Sequence, residues 1–227
     1  MKFTWLKWGA LPVVVLMAGS MVLAQDQSGS QSSGQSQSSP APAAQPATAQ
    51  KPDPSIAQRK ENQQDRIANG VKSGQLTAGE TAKLETKEAA INGETKADRK
   101  ANGGKLTAAE KAKINKQQNN LSKQIYTDKH NANTAHYGNN KVGQRRENQQ
   151  DRIAQGIKSG QLTAGETAKL ENQQKGINKQ VAADRKANGG KLTTGEKKQI
   201  NHEQNQASKN IHQKKHNGAT QATANKP

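Results

Sequence analysis

The chain of 227 residues has no cysteine and almost no aromatic side chains: two Trp, two Tyr and one Phe. Without cysteine, neither a disulfide framework nor a structural thiolate metal site can form. Both Trp, the Phe and all three Met lie within the first 24 residues, so Tyr126 and Tyr137 are the only aromatics beyond them. Two rings do not make a base-stacking platform, and no nucleic-acid recognition motif is present, which excludes sequence-specific nucleic-acid reading. Aliphatic residues are scarce as well. Between Ile56 and Ile211 about 20 residues are Ile, Leu or Val, near one in eight, well under the roughly 20% below which disorder becomes a serious expectation. So little apolar content disfavours both a large compact core and a desolvated catalytic pocket. No Ser-His-Asp order, nucleophile elbow, phosphate loop or paired-carboxylate pocket emerges, and the expected protein is not an enzyme and carries no cofactor.

The first residues follow the pattern of an export signal. Lys2 and Lys7 precede an apolar run from Leu11 to Leu23, and Val22-Leu23-Ala24 offers a peptidase site, with cleavage expected before Gln25. An uncleaved anchor is the alternative, because the stretch including Trp5 and Trp8 approaches spanning length. No Cys follows the run, which excludes a lipid-anchored lipoprotein. The expected location is secreted or periplasmic, with no integral membrane segment once residues 1–24 are removed. Residues 25–54 are Gln, Ser, Ala and Pro with scattered Gly, and read as a disordered, solvated linker.

What the chain does have is repetition. Ser-Gly-Gln-Leu-Thr-Ala-Gly-Glu at Ser73–Glu80 recurs letter for letter at Ser159–Glu166, and a looser Gly-Gly-Lys-Leu-Thr-x-x-Glu occupies Gly103–Glu110 and Gly189–Glu196. Each copy has the form of a helix end, a glycine turn and a new helix start. Glycine adopts the left-handed backbone that stops a helix, and Thr three residues ahead of Glu can cap the next one reciprocally. From Gln58 to Asn131 and from Gln144 to Asn217 the chain repeats without a gap, offset by 86 residues, with about 50 of 74 positions identical. Ile67 and Val71 are four apart, Leu84 and Ile91 seven, Ile114 and Leu121 seven, all on one helical face. The expected fold is all-α: tandem helix-turn-helix repeats, slender and marginally stable. Repeat one covers 55–131, a loop 132–143, repeat two 144–217 and a disordered tail 218–227. Helices are predicted at Ser55–Asn69, Thr77–Asn102, Thr107–His130, Gln144–Gln155, Thr163–Asn188 and Thr193–His216.

The joints resemble the loop of an EF-hand in their steric skeleton: Gly74, Leu76 and Glu80 fall at the sixth, eighth and twelfth places, as do Gly104, Leu106, Glu110 and their copies. The ligand positions depart from that pattern, since Asn69, Arg99, Gln155 or Arg185 stands first and Val71, Ala101, Ile157 or Ala187 third. Calcium needs six to eight oxygens, several charged. A longer frame using Asp98, Asn102 and Glu110, or Asp184, Asn188 and Glu196, adds oxygens but sets Arg and Lys beside them. The resemblance implies a degenerate EF-hand-like divalent-metal binding protein as the alternative to an interaction protein, and the competing explanation is that Thr and Glu are only caps. In overall pattern the chain also resembles an uncharacterised family of exported bacterial helical-repeat proteins, which carries no activity with it. A third expectation is a hydrophilic stress-protective protein, helical only on crowding or drying.

Charge is the remaining signal. The net charge is +17, and the two repeats carry 15 basic against 9 acidic and 15 against 7 residues. The densest recurring cluster is Ala-Asp-Arg-Lys-Ala-Asn-Gly-Gly-Lys-Leu-Thr at Ala97–Thr107 and Ala183–Thr193. Arg99, Lys100, Lys105, Arg185, Lys186 and Lys191 flank a turn into a helix start and are the candidate polyanion-binding residues; complementing the helix macrodipole is the plainer reading. Expected partners are anionic envelope polymers or lipids, bound without sequence specificity. His130, His136, His202, His212 and His216 gather around the repeat ends with no third ligand set by spacing, so no metal site is assigned.

Overall fold

The computed structural model describes residues 55–221. The expected signal (1–24), the whole expected linker (25–54) and the tail beyond 221 lie outside the described residues. Six helices follow in order: α1 Ile56–Lys72, α2 Ala78–Ala101, α3 Ala108–Lys129, α4 Lys141–Lys158, α5 Ala164–Ala187 and α6 Thr194–Lys215. Among the described residues there is no strand, and the protein is all-α.

Each predicted Thr–Glu joint is a capping box. The Thr77, Thr107, Thr163 and Thr193 hydroxyls accept from the backbone N–H of Glu80, Glu110, Glu166 and Glu196, while each Glu side chain accepts from the Thr backbone N–H. Ser55 and Gln58 form a fifth box at α1. The helices α1 and α4 run three residues past their expected ends, and α4 begins at Lys141, inside the segment expected to be loop. Asn140 explains that early start: its side chain accepts from the Gly143 N–H at 3.1 Å. Gly74 and Gly160 take φ of 71° and 69° at the first joint of each trio, the left-handed conformation the turn needs. Just before them, Gly70 and Gly156 serve a different purpose. A Cβ there would stand 2.7 Å from Leu76 and 2.6 Å from Leu162, so only glycine lets the leucine fold back onto its helix.

The two helix trios share one core. Helix α2 packs on α5 and α1 on α4, while α3 lies against α1 and α2, and α6 against α4 and α5. Gly79 faces the Lys175 side chain and Gly165 faces Ala89. Contacts that advance along α2 retreat along α5, so these helices cross antiparallel, with Leu84 and Leu170 at the midpoint of the register. A shift of 86 residues maps each of these contacts onto the other, which relates the trios by a local two-fold. A single cluster, including Ile67, Val71, Leu84, Ile114, Leu121, Ile153, Leu162 and Leu170, spans both trios; Val142, Ile177, Val181, Ile200 and Ala207 form a second at the outer edge of α4–α6.

This core is larger than the aliphatic count suggests, for two reasons. Nearly every aliphatic residue is buried, each worth about 1.5–3 kcal/mol. Glutamine also enters the interior with its amide nitrogen engaged, while the side-chain oxygens of Gln63, Gln118 and Gln204 have no partner. Gln63 donates to the Gln118 carbonyl (2.6 Å) and Ser122 (2.8 Å), and Gln118 donates to the Ile56 carbonyl. Gln149, Gln204, Ser208 and Val142 repeat the same contacts in the second trio. These amides stitch α1 to α3 and α4 to α6, and a buried amide with its donor satisfied costs far less than one left bare.

The start of the expected tail is held in place. The Gln221 N–H donates to the Gly160 carbonyl (2.9 Å), and its side chain accepts from the Ala164 N–H (3.0 Å). The Ala135 N–H does the same to the Gly74 carbonyl at 2.8 Å in the first trio. A helix end leaves carbonyls without partners, and the chain after each trio returns to cover that joint.

Candidate anion-binding groove

Three features could carry function: the joints, a set of buried carboxylates, and two basic grooves. The joints hold four carboxylates already engaged. The Glu80 Oε2 accepts from the Thr77 N–H (3.0 Å) and hydroxyl (2.7 Å), and Oε1 accepts from Asn131 and Asn133. Burial pushes this carboxyl up, yet those bonds outweigh it and hold it below the usual range. Glu166 is placed alike, with Asn217 taking the part of Asn131. Glu110 and Glu196 bond the Thr backbone and the Asn102 or Asn188 amide. The EF-like glutamates thus act as caps, and among the described residues no group of three or more His, Cys, Asp or Glu is placed to hold a metal ion. Among the histidines, His212 stacks on His216 at 4.3 Å, as Tyr126 does on His130 at 4.2 Å.

Glu85 and Glu171 are fully buried beside the α2–α5 crossing. Gln64 donates to Glu85 at 3.1 Å and Gln150 to Glu171 at 2.9 Å, while the second oxygen of each carboxyl has no partner. Burial pushes both up to about 8. Glu88, one turn on in α2, is pushed up to about 7 by burial, against the pull of the Lys60 ammonium. Carboxyls perturbed this far are often catalytic, but these are sealed in the interior and line none of the grooves. Sequence reasoning missed them because a Glu in a Lys-rich helix reads as solvated; its only signal was Glu85 and Glu171 standing one residue from Leu84 and Leu170.

The first groove has a volume of about 870 Å³ and opens between the start of α4, the end of α5 and one face of α6. Lys141, Arg145, Arg185, Lys191 and Lys197 wall it, and Val142 and Leu192 form its floor. Asn140, Asn201 and Asn205 supply amides, and no Asp or Glu lines it. Arg145 is anchored, since its guanidinium donates to Asn205 Oδ1 (2.6 Å) and Asn201 Oδ1 (3.4 Å). A second groove of about 740 Å³ holds Lys60, Lys96 and Arg99 over Ile56, Ala57 and Ile91, again without a carboxylate.

The six predicted basic residues are therefore divided. Arg185 and Lys191 meet in the first groove, Arg99 belongs to the second, and Lys100, Lys105 and Lys186 are exposed outside both. Lys141, Arg145 and Lys197 were not foreseen, because they reach the groove from other helices. The field is poorly neutralised: among the described residues two ion pairs form, Lys113–Glu94 at 2.7 Å and Lys214–Glu166 at 3.7 Å. Compared with known families, characterised proteins and solved structures, the chain matches none. Among the described residues no helix is long and apolar enough to cross a membrane.

Proposed function

We propose that this is an exported, non-catalytic interaction protein of the cell envelope whose basic helices hold polyanions by charge. The observation that carries the reading is the first groove, with five cations converging and no carboxylate among its walls. Clustered like charges of this kind repel one another and are relieved by an anion, which adds to long-range attraction. The scarcity of ion pairs leaves the field available to a partner. Export rests on the pattern of residues 1–24.

Binding of heparin to the full chain, followed by titration calorimetry at rising salt, tests the charge. If four cations are neutralised, a four-fold rise in salt weakens binding on the order of 50- to 150-fold through counterion release. Binding indifferent to salt, or absent at low ionic strength, refutes it.

A further inference from the structure

If the first groove holds polyanions, the reading on which this inference rests, its make-up narrows the ligand further. A phosphate chain offers charge and little else. A lipid headgroup brings acyl chains, for which Val142 and Leu192 are too small a floor. A sugar ring offers hydroxyls and an apolar C–H face together. The groove answers both: Asn201 and Asn205 carry amides at its wall, and Val142 and Leu192 line it together with Lys and Arg side chains, whose stems are themselves apolar. The Arg145 guanidinium, anchored by Asn205 and Asn201, is orientated before any ligand arrives, which lowers the ordering cost of binding.

We infer that the groove between α4, α5 and α6 is a binding site for an acidic oligosaccharide. Its carboxylates or sulfates are held by Arg145, Arg185 and Lys191, and its rings lie on Val142 and Leu192. Arg145 comes from α4, Arg185 from the end of α5 and Lys191 from the turn after it, so the anionic groups are gripped from separate elements. The open trough suits a chain passing through rather than a closed monosaccharide pocket.

Titration calorimetry on the full chain with a galacturonate hexamer, a heparin hexasaccharide, polyphosphate of matched charge, a neutral malto-hexaose and anionic-lipid vesicles tests this. An acidic hexasaccharide is expected to bind one site per chain and to exceed polyphosphate by about ten-fold, the worth of one or two additional polar contacts. Arg185→Ser with Lys191→Ser is expected to cost it about ten-fold or more through lost charge-assisted hydrogen bonds. Lys100→Ser with Lys186→Ser removes the same charge outside both grooves and is expected to change it less than about two-fold. Circular dichroism confirms that each variant is folded. Polyphosphate or vesicles binding as tightly as the glycans overturns the inference while leaving the polyanion reading intact. Equal losses from the two double variants overturn it too, because binding would then follow overall charge. Neutral sugar binding as well as acidic sugar removes the role of the cations, and no binding by any of the anions at low salt removes both readings.

Discussion

Raising the pH should loosen the crossing of α2 and α5. In the unfolded chain Glu85 and Glu171 titrate near the ordinary carboxylate value, whereas burial holds them protonated in the fold up to about 8. Between those values the folded state binds more protons than the unfolded state, so stability falls as pH rises. The contribution is fully present below about pH 4.5 and is lost once pH passes about 8. A rise from 4.5 to about 8 corresponds to on the order of 5 kcal/mol for one carboxyl at 1.36 kcal/mol per pH unit. A domain is stable by only about 5–15 kcal/mol in total. The groups facing Glu85 are Gln64 and Lys60 of α1, Glu88 of α2 and Glu171 of α5; the Gln64 bond and the Lys60 charge favour ionisation, and the two carboxyls oppose it. Burial outweighs the favourable pair. Glu85→Gln with Glu171→Gln keeps the neutral shape and an acceptor for Gln64 and Gln150. Urea unfolding followed by far-UV circular dichroism should show wild-type stability falling from pH 5 to pH 9, and the double variant should retain only the smaller slope due to Glu88. A wild-type protein equally stable across that range, or a double variant with an undiminished slope, would refute the reasoning, because the carboxyls would then be ionised and hydrated in the folded state.

Acid should act on the caps in the opposite direction. The carboxyls of Glu80 and Glu166 sit below their usual range, since bonds from the Thr caps and Asn amides outweigh burial; their contribution is present above the ordinary carboxylate value and disappears as pH falls through the depressed one, which Thr77→Ala should reveal as a weaker acid transition. At neutral pH, Thr77→Ala or Thr163→Ala should each lower stability by about 1 kcal/mol in urea melts, the usual worth of an N-cap. Gly70→Ala should cost about 1–3 kcal/mol by pressing a methyl into Leu76, an overpacking penalty. Gly93→Ala meets nothing within 4 Å and should instead stabilise by several tenths to about 1 kcal/mol through helix propensity, a contrast measurable in the same melts. Calcium binding at the joints would contradict the capping role of their glutamates, and a calorimetric titration with calcium should show no heat.

The elements most legible in the chain were those decided locally. Thr and Glu three apart, a glycine before them and an aliphatic spacing of four and seven specify a cap, a stop and a face using only neighbours within one turn or two. That is why the Thr–Glu capping boxes open α2, α3, α5 and α6 where the residues place them, and why Asn140, lacking the Thr–Glu signature, let α4 begin unannounced. The interior was less legible. Gln63, Gln118 and Glu85 are polar by type, and a composition reading assigns polar residues to water. Their burial depends on partners 55, 62 and 21 residues away in sequence, which no local window contains.

The groove divides the same way. Arg185 and Lys191 belong to one continuous basic stretch and could be picked out by density alone. Lys141, Arg145 and Lys197 join them because α4 and α6 fold back past the end of α5. By itself the sequence determined the helices, most of their ends, the duplicated plan and the surplus of positive charge, each a property of neighbouring residues or of a sum over the chain. Only the tertiary structure decided that the two trios share a core, that a pair of carboxyls is sealed beside their crossing, and which cations converge. Those outcomes depend on distances between residues far apart in sequence, and only packing sets such distances.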